Sequence, residues 1–288
     1  MPDSPDEGID LAYGLEEKPP LTKSFLLALQ HVSVMIVPST AVAFIVAGAA
    51  GVSAADTTFL VQMVILFAGV ATVVQAYTVG PVGAKLPIVM GTSFAFVGAM
   101  SSIGANSGLD VVFGSIVAAA VVVPFLLGWQ FKRLQSFFPP LVTGLIVVII
   151  GLYLVPVGIQ YAAGGVGAEN FGSMQNLGLA GLVLSIAVLF NLLLRGVWRM
   201  LSVIIGITAG YVVAIAFGVV DFTPFYEAAW IAVPTPGRFG FSFEVIPLLT
   251  FAFLFLVSGM ETIGDMSGIT AAEGRNPTEE EFRGGIFA

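Results

Sequence analysis

Apolar runs of about twenty residues recur along nearly the whole chain, as in "VVFGSIVAAAVVVPFLLGW" from Val111 to Trp129. A helix needs about 20 such residues to cross a hydrocarbon core of roughly 30 Å. None of the runs alternates apolar and polar residues as the strands of an outer-membrane barrel do. The sequence therefore predicts a polytopic α-helical membrane protein. Composition agrees: 57% of residues are hydrophobic and 10% charged, against about 25% charged in an ordinary soluble domain.

Eight spans are predicted, at Phe25–Ala47, Phe59–Tyr77, Leu86–Ile103, Val111–Trp129, Leu141–Ile159, Leu177–Leu194, Leu201–Val220 and Val245–Ile269. The connections carry the expected breakers: "VGPVG", "GANSG", "FFPP", "AAGGVG" and "VPTPG". Charge placement orients the chain. With the N-terminus cytoplasmic, the inner segments hold Lys18, Lys23, Lys85, Lys132, Arg133, Arg195, Arg199, Arg275 and Arg283, and the outer loops only Arg238. That is the bias of the positive-inside rule. Span eight then enters from the side opposite to span one. If it begins a second copy of a seven-span unit, that copy is inverted, as in many secondary transporters. The organisation expected is an acidic cytoplasmic tail over 1–24, a seven-span repeat over 25–220, and an external loop, eighth span and start of a ninth over 221–288. The closing "FRGGIFA" resembles the mouth of a further span, so a longer parent protein is expected.

Several chemistries are excluded. There is no cysteine and one histidine, His31, so thiolate chemistry, cysteine-ligated metals and histidine clusters are out. A net charge of −8 argues against nucleic acid as a partner. The acidic start lacks the basic and apolar regions of a signal peptide. No Walker-type phosphate loop, "GxSxG" or "HExxH" occurs. No cofactor or metal is expected.

The polar residues inside the spans are few. In "LVSGMETIGDMSG", Glu261 and Asp265 are the only acids well inside an apolar segment. Four residues apart on a helix, their Cβ atoms lie about 6 Å from each other on one face. An ionised acid at the bilayer centre costs at least about 2.5–3.5 kcal/mol, and two such charges repel, so one of the pair is expected to hold a proton. This suits a cation-coupled site, in which one carboxylate accepts hydrogen bonds from ligand N–H groups and the other gains and loses a proton. A second placement is open: Glu261 lies about 24 Å along the helix from Val245, which also suits a carboxylate at the cytoplasmic interface. Gln30 and His31, in "ALQHVSV" near the start of span one, are read either as hydrogen-bonded structural groups or as ligands, since span one would be the mirror counterpart of span eight. In "KLPIVMGTSFAFVGAMSSIG", Gly91, Thr92 and Ser93 interrupt the apolar run of span three just before Phe94. They mark either a helix contact built of small residues or a broken span. Irregular backbone at membrane depth survives only where protein or a cavity satisfies it, and an aromatic beside it suits a flat heteroaromatic ligand.

Together, "QH" in span one, "GTSFAF" in span three and "SGMETIGD" in span eight resemble the nucleobase–ascorbate transporter family, the xanthine/uracil permeases. The resemblance covers the chain from about Phe25 onward. It implies an all-α integral membrane fold of seven plus seven spans in inverted repeat, with a short extended segment in span three. Only the first repeat and the start of the second are present here. The family's span-ten Asn/Gln segment and ninth-span acid are absent, so this chain alone is expected not to transport. The resemblance implies that Glu261 hydrogen-bonds the nucleobase, that Asp265 serves proton coupling, and that Phe94 packs on the base. It places the backbone at Ser93 against the ligand, and His31, beside Gln30, near the site. Asp265 stands where uracil carriers tend to have histidine, which tilts the substrate toward xanthine or urate. The coupling cation implied is the proton, with sodium as the alternative. Family members often pair as homodimers, and no interface is legible here. Competing readings are an anion or sulfate-type carrier of the same architecture, and a membrane-embedded protein that does not transport; an acid pair facing the ligand argues against the first.

Overall fold

The computed structural model describes residues 13–15, 17–135, 140–165, 168–195, 197–223, 226, 233–235 and 237–288. Most of the expected tail, 1–12 and Glu16, lies outside them. The described helices are α1 (Leu21–Ala50), α2 (Ala54–Tyr77), α3 (Val97–Ser107), α4 (Leu109–Gln135), α5 (Pro140–Ala162), α6 (Met174–Leu193), the short α7 (Val197–Met200), α8 (Ser202–Ala216), α9 (Val245–Ala272) and α10 (Glu279–Phe287). A single 3₁₀ turn, Phe94–Phe96, precedes α3.

The helix ends follow local chemistry. Gly51, in the left-handed region at φ 63°, closes α1 as a C-terminal glycine does. The hydroxyls of Ser53 and Ser173 accept the amides of Asp56 and Asn176 and so cap α2 and α6. Thr278 and Glu281 form a reciprocal capping box at α10. Pro38 and Pro156 sit inside α1 and α5, positions that membrane helices tolerate because neighbours satisfy the freed groups.

Helices α1, α2, α6 and α9 are long and apolar enough to cross a membrane. Helix α6 buries none of its residues, and Leu184, Leu192 and Leu193 stand exposed. So much bare apolar surface is untenable in water and ordinary in lipid. On α8, Gly206 and Gly210 press against Val183 and Ala187 of α6, the close approach that small residues permit between membrane helices.

Two apolar clusters position the site. The larger joins Val42, Ala43, Val46 and Ala47 of α1, Phe96, Val97 of α3, Val112 and Ala119 of α4, and Phe251 of α9. The smaller joins Ala84, Leu86 and Ile88 to Met266 of α9, with Leu15 and Phe282 packed against it. Leu15 donates its amide to Glu273 (2.8 Å), so the segment before α1 folds back onto the end of α9. At the opposite end of the bundle, the amide of Ser242 donates to the carbonyl of Asp110 (3.0 Å), and Arg238 pairs with Asp56 (2.7 Å).

Span three differs from a plain helical span. The sequence marks an interruption at Gly91–Ser93, but the non-helical stretch runs from the end of α2, at Thr78, to Ser93. Along it Ala84, Leu86 and Ile88 are buried while Lys85 and Pro87 are exposed, and the backbone bends at Lys85, which lies in the left-handed region at φ 57°. Pro87 cannot donate to a helix. Some of its amides find other partners: Gly83 bonds to the carbonyl of Gly284 (2.8 Å) and Lys85 to that of Gln75 (3.0 Å).

A candidate ligand site at a broken span

Ser93 and Glu261 meet. Ser93 ends the extended stretch at φ −81°, ψ 130°, as cap of the 3₁₀ turn. Its hydroxyl oxygen accepts the amide of Ala95 (3.2 Å), and its proton goes to Oε2 of Glu261 (3.0 Å). Because the amide occupies the oxygen's acceptor side, the hydroxyl is turned to donate to the carboxylate. Glu261 is half-buried on α9; Asp265, one turn on, is exposed.

The level of Glu261 is set by packing on both sides. Phe96 stacks on Phe251 (6.3 Å, 13° between planes) and meets Phe255 edge-on (5.1 Å). Toward the other end, Met266 is fully buried against Ala84 and Gly285. Glu261 lies between these contacts, facing the point where extended backbone becomes helix. The amides of Gly91, Thr92, Ser93 and Phe94 have no hydrogen-bond partner among the described residues. The arrangement thus offers one carboxylate acceptor and a run of backbone donors side by side, the complement of a flat ring edge carrying N–H and C=O groups.

The remaining predicted residues are distributed as follows. Phe94 is half-buried and packs against the larger apolar cluster. His31 is exposed, and its Nδ1–H donates to the carbonyl of Leu27 on its own helix (2.8 Å). A carbonyl only accepts, so in the neutral ring the proton is on Nδ1 and Nε2 is the acceptor. Gln30 beside it is half-buried and engaged. The structure joins Ser93 directly to Glu261 and joins His31 to α1 itself.

Sequence reasoning missed two groups that hold the broken segment. Thr72 of α2 accepts the amide of Met90 (2.9 Å), and Ser39 of α1 receives the hydroxyl of Thr92 at its carbonyl (3.3 Å). Both look like ordinary small polar residues of apolar helices.

A bundle whose helices turn apolar faces outward, with one span unwound opposite an acid on its neighbour, is the architecture of a multi-pass membrane protein. The sequence profile described as a permease family matches residues 22–288. The chain is 37% identical over 267 residues to the xanthine permease of Bacillus subtilis (strain 168), covering 92% of this chain and 61% of that protein. It is 38% identical over 272 residues to the uric acid permease PucJ of the same organism, covering 92% and 60%. With the xanthine permease XanQ of Escherichia coli (strain K12) the identity is 32% over 304 residues, covering 100% and 65%. The chain belongs to the nucleobase–ascorbate transporter family of xanthine and uracil permeases. It spans about three fifths of the length of the curated relatives it matches.

Proposed function

We propose that this chain provides the nucleobase-binding face of a proton-coupled purine permease in the cell membrane, with its N-terminus cytoplasmic. The observation that carries the proposal is the hydrogen bond between Ser93 and Glu261, which joins the broken span to the acid-bearing span. In this reading Oε1 or Oε2 of Glu261 accepts a ring N–H of the purine, and the free amides from Gly91 to Phe94 donate to its carbonyl oxygens. Phe94 lies against one ring face. Asp265 exchanges the coupling proton one turn away. The names of the relatives, xanthine and uric acid permeases, favour a purine over uracil, as does an acid rather than an imidazole at position 265. The cytoplasmic N-terminus is supported by the gathering of Lys and Arg on one side of the predicted spans.

The test is uptake of labelled xanthine and urate by cells expressing the gene's full product in a strain lacking its own purine carriers. Glu261→Gln keeps the size but not the charge of the acceptor and abolishes uptake. Asp265→Asn leaves purine binding detectable and removes the dependence of uptake on external pH. Normal uptake by Glu261→Gln would dispose of the role given to that carboxylate.

A further inference from the structure

The extended stretch of span three must be held in register for Ser93 to reach Glu261, and the chain's own contacts show what holds it. Midway along, the amide of Met90 donates to Oγ1 of Thr72 (2.9 Å). The Thr72 hydroxyl proton is committed elsewhere, to the carbonyl of Ala68 one turn back on α2 (2.7 Å), with the Met90 carbonyl at 3.4 Å. The hydroxyl is therefore a bracket: it donates along its own helix and accepts from the segment. Valine would copy its shape and offer the Met90 amide nothing.

Helix α1 holds the next two residues. A Cβ on Gly91 would stand 2.8 Å from Oγ of Ser39, and the Thr92 hydroxyl reaches the Ser39 carbonyl (3.3 Å). The α1 contacts are of another kind, one a close steric approach and one a long bond. The short bond to Thr72 is the one that fixes position along the segment. Register matters because successive residues of extended backbone face opposite ways: a slip by one residue would present Thr92 or Phe94 to Glu261 instead of Ser93.

We propose that Thr72 is a positioning residue of the ligand site, acting through the Met90 amide to set the register of Gly91–Phe94 opposite Glu261. For its ligand arm this rests on the purine reading above; for its structural arm it does not. The experiment compares Thr72→Val and Thr72→Ser in the purified full product of the gene with two readouts. The first is amide hydrogen exchange of peptides covering 86–96, with peptides from α6 as the internal control for global loosening. Thr72→Val raises exchange across 86–96 about tenfold and leaves α6 unchanged, whereas Thr72→Ser matches the wild type. The second is equilibrium binding of labelled xanthine, which Thr72→Val weakens roughly tenfold, the size of one unmade buried hydrogen bond, and Thr72→Ser restores. Unchanged exchange in Thr72→Val, or a Thr72→Ser variant as impaired as the valine, overturns the bracket. Raised exchange with unchanged xanthine affinity overturns the positioning role. A wild type that shows no affinity for xanthine sinks the purine reading, and the exchange arm still decides the bracket.

Discussion

Replacing Ser93 by alanine removes two hydrogen bonds with separable consequences. The first is the donor to Glu261 at 3.0 Å. A bond to a charged partner contributes about 1.5–3 kcal/mol net. Glu261 is half-buried, so the lower part of that range applies, about 1.5–2 kcal/mol, or roughly 10–30-fold in an equilibrium constant. If Ser93 aims the carboxylate at the ligand, this loss appears as weaker purine binding. The second is the acceptor for the Ala95 amide at 3.2 Å, worth about 0.5–1.5 kcal/mol. It stabilises the 3₁₀ turn with or without ligand, so its loss appears as a lower melting temperature. Ser93→Thr keeps the hydroxyl and separates the two effects from a mere change of side chain. Equilibrium binding of labelled xanthine to purified protein, beside thermal unfolding in the same detergent, reads both. The expected pattern is a 10–30-fold loss of affinity and a lower melting temperature for Ser93→Ala, with Ser93→Thr within about threefold of the wild type in affinity. Affinity within threefold of wild type for the alanine variant would show that Glu261 needs no help from span three, and the reasoning from this bond would fail.

Two further outcomes are expected. Glu281 accepts two bonds from Arg275 (2.8 and 2.9 Å), and this pairing, opposed by partial burial and helped by Thr278, holds its carboxyl down from 4.5 to about 2. A depressed carboxyl stabilises the fold above its unfolded value and ceases to do so as pH falls toward its folded value, so thermal stability should decline between about pH 4.5 and about 2, and Glu281→Gln should flatten that decline; a parallel profile in the variant would place the acid sensitivity elsewhere. In Gly284→Ala the new Cβ would collide with the carbonyl oxygen of Gly83 and stand 2.9 Å from its carbon, forcing α10 off the start of the extended stretch and lowering stability by about 1–3 kcal/mol, whereas Gly69→Ala on α2, with nothing within 4 Å, should be tolerated in the same melting assay.

What could be read in advance follows the range of the forces involved. Hydropathy is a local sum, so the long apolar helices were legible, and so was an acid pair four residues apart on one of them. The motif "GTSF" marked where the broken span presents its groups. The length of the break was not legible, because Ala84, Leu86 and Ile88 alternate with Lys85 and Pro87 over only five residues, inside a run whose hydropathy reads as helix. Thr72 was invisible for a different reason. A threonine in an apolar helix normally bonds back to the carbonyl four residues earlier, as Thr72 does to Ala68, and nothing local reveals a second partner at Met90. Gly284 touches Gly83 across some two hundred residues of chain, a contact that only the packed helices create.

The pattern of satisfied and unsatisfied amides explains why the break lies where it does. An amide left unpaired away from water costs several kcal/mol, so unwinding a span is sustainable only where other groups take over. From Gly83 to Met90 they do so intermittently: Gly83, Lys85, Ile88 and Met90 each donate to a partner, Pro87 has no proton to place, and the unpaired amides between them are isolated ones. From Gly91 to Phe94 four amides in succession lack a partner among the described residues, immediately beside the one carboxylate that the segment contacts. A helix over the same residues would have paired those donors internally and turned them away from Glu261. Unwinding costs stability in the empty protein, and on the purine reading proposed above a ligand recovers that cost by supplying acceptors to the amides and a donor to the acid at once. A ring that offers only acceptors leaves the carboxylate unsatisfied, and one that offers only donors leaves the amides so. The discrimination that follows is between ring edges, not ring sizes, and methylation of a single ring nitrogen on a xanthine should therefore reduce affinity more than adding an equal bulk at a carbon.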